Sequence, residues 1–263
     1  MKRILYKKIF CAWAWLAVAV FSLFFPILGE QVCAESWNVI SAYTTYFDEK
    51  QVGRSENIRI AASLIDGVTL QAYGEFSFNQ TVGKRTEEAG FKQAKIISGG
   101  EYVLGTGGGV CQVSTTLYNA ALKSGLCVTE FHPHSLQVSY VAPSRDAMVS
   151  TQSDLKLYNP HAYPVRLCIS VEKGAVRAQF LGKRDGLRYE IVSHTLGEIA
   201  PPPPIVKEGA EEDILRSPKN GVKSEAYLET YQGDALLSRK LLRTDEYRPV
   251  QGIIVKKIPA ESD

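Results

Sequence analysis

Four consecutive prolines, Pro201 to Pro204 in "IAPPPP", set the first boundary in this chain. Proline lacks an amide hydrogen and has a fixed φ, so such a run lies neither in a helix nor in a sheet interior and forms a stiff polyproline spacer. The spacer is placed at residues 188–206. It separates a long domain at 37–187 from a small β module at 207–263. A module of about 50 to 60 residues buries little core of its own, so binding or docking is expected of it rather than chemistry.

The N-terminus sets a second boundary. Lys2, Arg3, Lys7 and Lys8 precede an apolar run from Ile9 to about Leu28, followed by Val32-Cys33-Ala34. A basic start, an apolar stretch and a small-residue site make an export signal over residues 1–34. The run is nearly long enough to span a bilayer, so an uncleaved membrane anchor with its basic end inside stays open. Lipidation at Cys33 is disfavoured by Glu30, which stands where an aliphatic residue belongs. On either reading the working part faces outwards, secreted to the cell envelope or anchored to the cytoplasmic membrane. Without residues 1–34 the chain keeps 26 basic and 27 acidic side chains. No basic patch then argues for nucleic acid.

Three cysteines remain beyond the signal: Cys111, Cys127 and Cys168. An odd count in an exported protein leaves at least one thiol free or intermolecular. A Cys127–Cys168 bridge is open. "LCV" and "LCIS" nevertheless sit in strand-like runs and read better as small buried hydrophobes.

Periodicity organises the domain at 37–187. Trp37–Phe47 reads as a strand, and Asn57–Leu70 has the spacing of an amphipathic helix. "AYGEFSFNQTVG" reads as a turn, a short strand and a loop. "AKIISGGEYVLG" gives a hairpin around Gly99-Gly100. Residues 111–124 set Val113, Leu117, Ala120 and Ala121 on one helix face, and Gly125 ends the helix. "SDLKLYN", "YPVRLCISVE" and "AVRAQFLG" are strands, the last two joined at Lys173-Gly174. The fold class is α+β: an antiparallel sheet with two main helices, followed by an all-β module with strands around Gln232-Gly233-Asp234 and from Ile253.

The chemistry points to "GTGGGVCQVSTTLYNAAL", Gly105 to Leu122. A helix N-terminus and a nearby histidine are the two cheapest ways to make a thiolate at neutral pH, and Cys111 has the first by position. Gly107, Gly108 and Gly109 would clear the approach for a substrate backbone and let loop amides face an oxyanion. The histidine is sought in "EFHPHS", where His132 and His134 lie two apart in an extended segment, on one face. Ser135, Asp146 and Asn159 are candidate orienters of the imidazole. Three bland readings stand beside this. Phosphate binding lacks the Lys-[Ser/Thr] of a P-loop. A lone cysteine at a helix start is often structural. Zinc held by Cys111, His132, His134 and Cys127 lacks ligand spacing to support it. His161 and His194 read as surface residues.

The same residues carry a resemblance. Phe76-Ser77-Phe78-Asn79, Val82-Gly83, the Gly-Gly-Gly-Val-Cys-Gln-Val-Ser run, Pro-His-Ser and Asp146-Ala147 occur in order, and the chain from about Ser41 to Gly182 resembles the VanW domain of bacterial cell-surface proteins. The C-terminal module is similar to the G5-like extension often attached to it. The family takes its name from an accessory gene of glycopeptide-resistance clusters. The resemblance implies a peptidoglycan L,D-transpeptidase that makes 3→3 cross-links on stem peptides, with Cys111 as nucleophile, His134 as acid and base, and no metal or organic cofactor needed. It adds His132 and Asp146 to the catalytic set. It assigns substrate or oxyanion contacts to Asn79, Gly107, Gly108, Gly109, Gln112, Ser114, Ser135 and Arg145. The chain departs from the pattern at Glu130-Phe131, which removes a possible carboxylate clamp, and at Tyr73-Gly74-Glu75. A non-catalytic wall-binding module and a cysteine hydrolase of stem peptides remain as alternatives.

Overall fold

The strand-like runs read from the sequence alternate in burial as a half-covered sheet requires. In the computed structural model, which describes residues 37–209 and 213–257, β1 (Asn38–Tyr46), β9 (Ala175–Gly182), β8 (Val165–Glu172) and β2 (Thr69–Leu70) form one antiparallel sheet in that order. Val165, Leu167 and Ile169 of β8 and Val176, Ala178 and Phe180 of β9 point to the core. The expected hairpin between β8 and β9 is present. The export signal or anchor at residues 1–34 lies outside the described residues. Among the described residues no helix is long and apolar enough to cross a membrane.

Helix α1 (Val52–Ile65) lays Ile58, Ala61, Ala62 and Ile65 into that core. It starts and ends about five residues before the span read from the sequence, because Gly67 turns the chain into β2. After β3 (Glu75–Ser77) comes α2 (Phe78–Val82), a short helix where a loop was expected. Ser77 caps it, accepting from the Gln80 amide, and donates to Asp154 Oδ2. The predicted hairpin of β4 (Gln93–Ser98) and β5 (Glu101–Thr106) turns at Gly99 and Gly100, both at positive φ, which a tight two-residue turn demands.

Helix α3 (Val110–Lys123) is the centre of the domain. The sequence gives it one apolar face, yet every residue except Cys111 and Lys123 is buried. Its polar side chains are covered because each has a partner. Thr116 meets Thr45 of β1 hydroxyl to hydroxyl at 2.7 Å, and the Ser41 hydroxyl donates to the Ala120 carbonyl. A buried polar group without such a partner would be destabilising by about 1–3 kcal/mol. Beyond α3, β6 (Cys127–Glu130) pairs with β7 (Lys156–Tyr158), which also pairs with β3. Residues 131–155 between them contain no helix or strand.

The second half corrects two expectations. Leu187–Ile199 is not spacer: it is β10, thirteen residues long, paired with β13 (Gly221–Gln232) from Leu187↔Gln232 to Ile199↔Gly221. Only Ile191 of β10 is buried, so the strand is held by its backbone ladder and leaves little alternation to read. The prolines occupy the connection to β11 (Ile205–Gly209). Strand β14 (Ala235–Tyr247) completes the first C-terminal sheet. β11, β15 (Ile253–Lys257) and β12 (Asp213–Arg216) form the second. The C-terminal part also does not stand alone: Ile191 and Ala226 belong to the same core cluster as Leu117 and Phe180. Trp37 onward is one compact unit. The three thiols among the described residues are free, with Cys127 exposed and Cys168 half-buried, so neither the bridge nor two buried cysteines is found there.

Leu117 is fully enclosed at the middle of α3. Leu117→Ala should therefore destabilise the chain by about 2–5 kcal/mol, lowering Tm by roughly 5 °C or more in a calorimetric scan.

Candidate active site

The glycines before Cys111 are required from within the protein. A Cβ at Gly108 would lie 2.6 Å from the Lys95 carbonyl oxygen and 2.9 Å from the Ala94 Cβ, and one at Gly109 would lie 2.9 Å from the Arg54 carbonyl oxygen. Gly107 and Gly109 have φ of 88° and 111°, where L side chains are strained. The Asn57 amide clamps the turn, donating to the carbonyls of Lys92 and Gly108 at 2.9 Å each. The expected clearance for a substrate is thus filled by β4 and α1. What the glycines achieve is a rigid turn that delivers Cys111 to the second position of α3, where helix amides favour a thiolate.

Cys111 is half-buried, with its sulfur 3.3 Å from the Val149 carbonyl oxygen. The His134 imidazole lies beside the sulfur, close enough for its charge to act on the thiol. His134 Nδ1 is 2.6 Å from Asp146 Oδ2, and the same oxygen accepts from the His134 amide at 2.7 Å. Nδ1 therefore carries its proton toward the carboxylate, which leaves Nε2 for the thiol. His134 is 5% exposed and Asp146 1%.

Electrostatics favour a thiolate–imidazolium pair. Burial pushes the Cys111 thiol up, but the hydrogen bond and charge of His134, a backbone hydrogen bond at Val149 and the Arg85 guanidinium together bring it below its ordinary value. Burial pulls His134 down, and the Asp146 and Cys111 hydrogen bonds overcome this to push it up to about 9. Burial likewise opposes Asp146, yet His134, Arg243 and Tyr247 hold it below the usual carboxylate range. Such a Cys–His–carboxylate relay can make a nucleophile, hold its proton and return it to a leaving group.

Two more groups face the thiol, and a third, Arg54, adjoins one of them. Arg85 donates from Nη1 to the Ser150 carbonyl and from Nη2 to Asn79 Oδ1, and lies over the Phe78 ring. Tyr140 lies near Thr115 and faces Cys111, with its phenol pushed far up by burial. Arg54 stacks toward the Tyr140 ring and donates to Gln112 Oε1 at 2.6 Å.

The remaining sequence candidates fall into place around this relay. His132 is not in it: Pro133 breaks the extended segment, and His132 turns outward to Glu130 Oε1 at 3.1 Å. The Gln112 side chain is buried inside the fold, donating to the Thr45 hydroxyl and the Tyr46 carbonyl. Ser114 is buried and donates to the Ala147 carbonyl at 2.6 Å, so it fixes the neighbour of Asp146. Asn79 holds the carbonyls of Ser150 and Ser153 besides Arg85. Arg145 Nε donates to Asn119 Oδ1, and its guanidinium lies over Tyr43. The Ser135 carbonyl accepts from the Arg248 amide. Asn159, the other candidate orienter, is buried on the carbonyls of Leu70, Gln71 and Tyr163. Among the described residues no group of three or more His, Cys, Asp or Glu is placed to hold a metal ion. A polar cavity of about 230 Å³, lined by Lys123, Lys183, Arg188 and Tyr189 among others, adjoins the far end of α3 from Cys111, roughly 18 Å along the helix.

Sequence reasoning missed Arg85, Tyr140, Arg243 and Tyr247. Arg85 and Tyr140 lie in or near the matching motifs but carry no chemical signature alone. Arg243 and Tyr247 sit about a hundred positions from their partner.

Comparison with known proteins agrees with the motif order. A family model described as "VanW like protein" matches residues 53–181. Those residues belong to the VanW-like family. The uncharacterized protein YoaR of Bacillus subtilis is 40% identical over 143 residues, which are 54% of this chain and 47% of that protein. The vancomycin B-type resistance protein VanW of Enterococcus faecalis is 21% identical over 178 residues, 65% of this chain and 63% of that protein. The chain thus spans between about half and two thirds of the relatives it matches. Two solved G5 domains also match. That of IgA1 protease has 18% identity, 27% of this chain, 89% of its own and a TM-score of 0.20. That of HP0197 has 19%, 26%, 97% and 0.14. TM-scores this low carry no functional inference.

Titration of this VanW-like site follows from the shifts. Cys111, held down, is ionised at a lower pH than an ordinary thiol, and His134, held up, stays charged until pH rises through about 9. Below pH 7 iodoacetamide should modify Cys111 faster than Cys127 or Cys168, although Cys127 is more exposed. His134→Gln should slow Cys111 at pH 6.5 by roughly tenfold or more and leave the other two unchanged, as read by peptide mass spectrometry. The imidazolium's share of stability has the matching sign: full below about pH 6.5 and lost as pH rises through about 9.

Proposed function

We propose that this chain is an extracytoplasmic peptidoglycan L,D-transpeptidase that forms 3–3 cross-links through a cysteine acyl-enzyme on tetrapeptide stems. The observation that carries the reading is Cys111, at the start of a buried helix, set beside the hydrogen-bonded pair of His134 and Asp146. Membership of the VanW-like family supports it. So does likeness to a protein named for vancomycin resistance, which favours wall chemistry.

The thiolate of Cys111 attacks the carbonyl carbon of the L-centre of the third stem residue. Negative charge moves to the carbonyl oxygen. The amides of Val110 and Gln112 already donate to the carbonyls of Gly107 and Gly109. This leaves the amides of Gly109 and Cys111 as the oxyanion donors. The C–N bond to the terminal D-Ala then breaks, and the amine departs with the proton from His134 Nε2. A side-chain amine of a second stem enters, gives its proton to His134 and attacks the thioester carbon. The C–S bond breaks and the thiolate returns. Asp146 keeps Nδ1 protonated throughout and stabilises the imidazolium. Arg85 supplies positive charge beside the thiol for an anionic stem, in place of the clamp that Glu130-Phe131 lacks. Gly107, Gly108, Ser114 and Gln112 act through the turn and the helix rather than on the substrate.

Intact-protein mass spectrometry after incubation with a tetrapeptide stem tests this. The expected product is an adduct of the stem less D-Ala on the wild-type chain and none on Cys111→Ala. His134→Gln should form it about 10²- to 10⁴-fold more slowly. An acceptor amine should release the adduct as a cross-linked dimer. Release only to water would make the protein a hydrolase, and no adduct at all would leave a wall-binding module.

A further inference from the structure

Asp146 is the member of the relay whose surroundings come from elsewhere in the chain. One carboxylate oxygen, Oδ2, serves His134. The other, Oδ1, accepts from the Tyr247 hydroxyl at 2.5 Å and lies 3.5 Å from Arg243 Nη2. Arg243 Nη1 also donates to the Asp146 carbonyl at 2.6 Å. Both residues are on β14, 1% and 6% exposed, in a sheet for which the sequence suggested only docking. Each is itself fixed. The Tyr247 oxygen accepts from the Ser144 amide at 2.8 Å, and Arg243 Nε donates to Asp245 Oδ2 at 2.6 Å.

The grip extends along the loop that carries the relay. The Ser193 hydroxyl of β10 donates to the Pro143 carbonyl, and Ser224 of β13 meets Ser144 hydroxyl to hydroxyl at 2.7 Å. The Arg248 amide donates to the Ser135 carbonyl, next to His134. Three strands of one sheet thus hold residues 143–146, and the residue after β14 holds the histidine segment.

We propose that Tyr247 and Arg243 are positioning residues of the thiol relay, acting through Asp146, so that the C-terminal sheet completes the active site. A buried carboxylate with its second oxygen unmet disfavours its charge and turns toward other donors. His134 then loses the partner that fixes Nδ1, its imidazolium weakens, and Cys111 loses the counter-charge that keeps it ionised. The other titratable groups around the chain of contacts are Arg85 and Tyr140 beside Cys111, and Tyr118 and Asp245 beside Arg243. None of these replaces a donor at Oδ1. For acyl transfer this rests on the function proposed above. Thiol reactivity is measured without any stem peptide and tests it separately.

The experiment is the pH profile of iodoacetamide modification of Cys111 in the full chain, with Tm measured alongside. Tyr247→Phe removes one oxygen and Arg243→Lys keeps the charge but loses the fork. Both should slow Cys111 at pH 6.5 by about tenfold and move the midpoint to higher pH, while rates at pH 10, where a thiol ionises unaided, stay as in wild type. Asp146→Asn should do the same, and adding Tyr247→Phe to it should change nothing more. Ser224→Ala, which loosens the same loop without touching the carboxylate, should lower Tm and keep the wild-type profile. A wild-type profile in Tyr247→Phe overturns the proposal, and if that variant does not fold the same criterion falls on Arg243→Lys. An equal slowing in Ser224→Ala also overturns it, since loosening alone would then suffice. Wild-type protein that forms no thioester with a stem but shows the shifted profiles in these variants would refute the transpeptidase and leave the relay assignment standing.

Discussion

A carboxylate buried as deeply as Asp146 is tolerated only when both oxygens are met, because the desolvation of an isolated charge far exceeds any single contact. Here three hydrogen bonds and one ion pair meet it: the ring and amide of His134 on one oxygen, the Tyr247 hydroxyl on the other, and the Arg243 guanidinium 3.5 Å from that second oxygen. The local charges also balance, with Asp146 and Asp245 against Arg243 and the His134 imidazolium. The geometry of the thiol, the loop that carries the histidine and the docking of the last sheet all follow from satisfying that one group.

Helix α3 is the other half of the same solution. Its hydroxyl and amide side chains do the work usually left to regular structure. Ser114 and Thr115 bond both the carbonyl and the amide of Ala147, and Asn119 holds the Arg145 carbonyl. Residues on either side of Asp146 are therefore ruled by the helix that carries Cys111. Each bond contributes about 0.5–1.5 kcal/mol, modest alone, but together they fix a segment that has no helix or strand of its own. Nucleophile and carboxylate are aligned because one rigid helix sets both.

The sequence made part of this legible, for definite reasons. Strands β8 and β9 bury one face, so their alternation shows. The β4–β5 turn needs two left-handed residues, so Gly99-Gly100 shows. Cys111 and His134 stood out as a thiol at a helix start and a histidine within a matching motif, and Asp146 was one of three possible orienters. Strand β10 was hidden because both its faces are largely open and only Ile191 is buried. The polar residues of α3 looked like a solvent face because a sequence shows no partner for them. The three glycines pointed outward to a substrate in the sequence and inward to Lys95 and Arg54 in the fold, since the same absence of a side chain serves either approach. Tyr247 was beyond any local rule, 101 positions from the oxygen it meets.

That distance bears on when the thiol becomes dangerous. Residues 111, 134 and 146 leave the ribosome well before β14 does. On the positioning role proposed above, the donors to the second Asp146 oxygen arrive only with that last long strand, so the order of synthesis would time the arming of the sulfur.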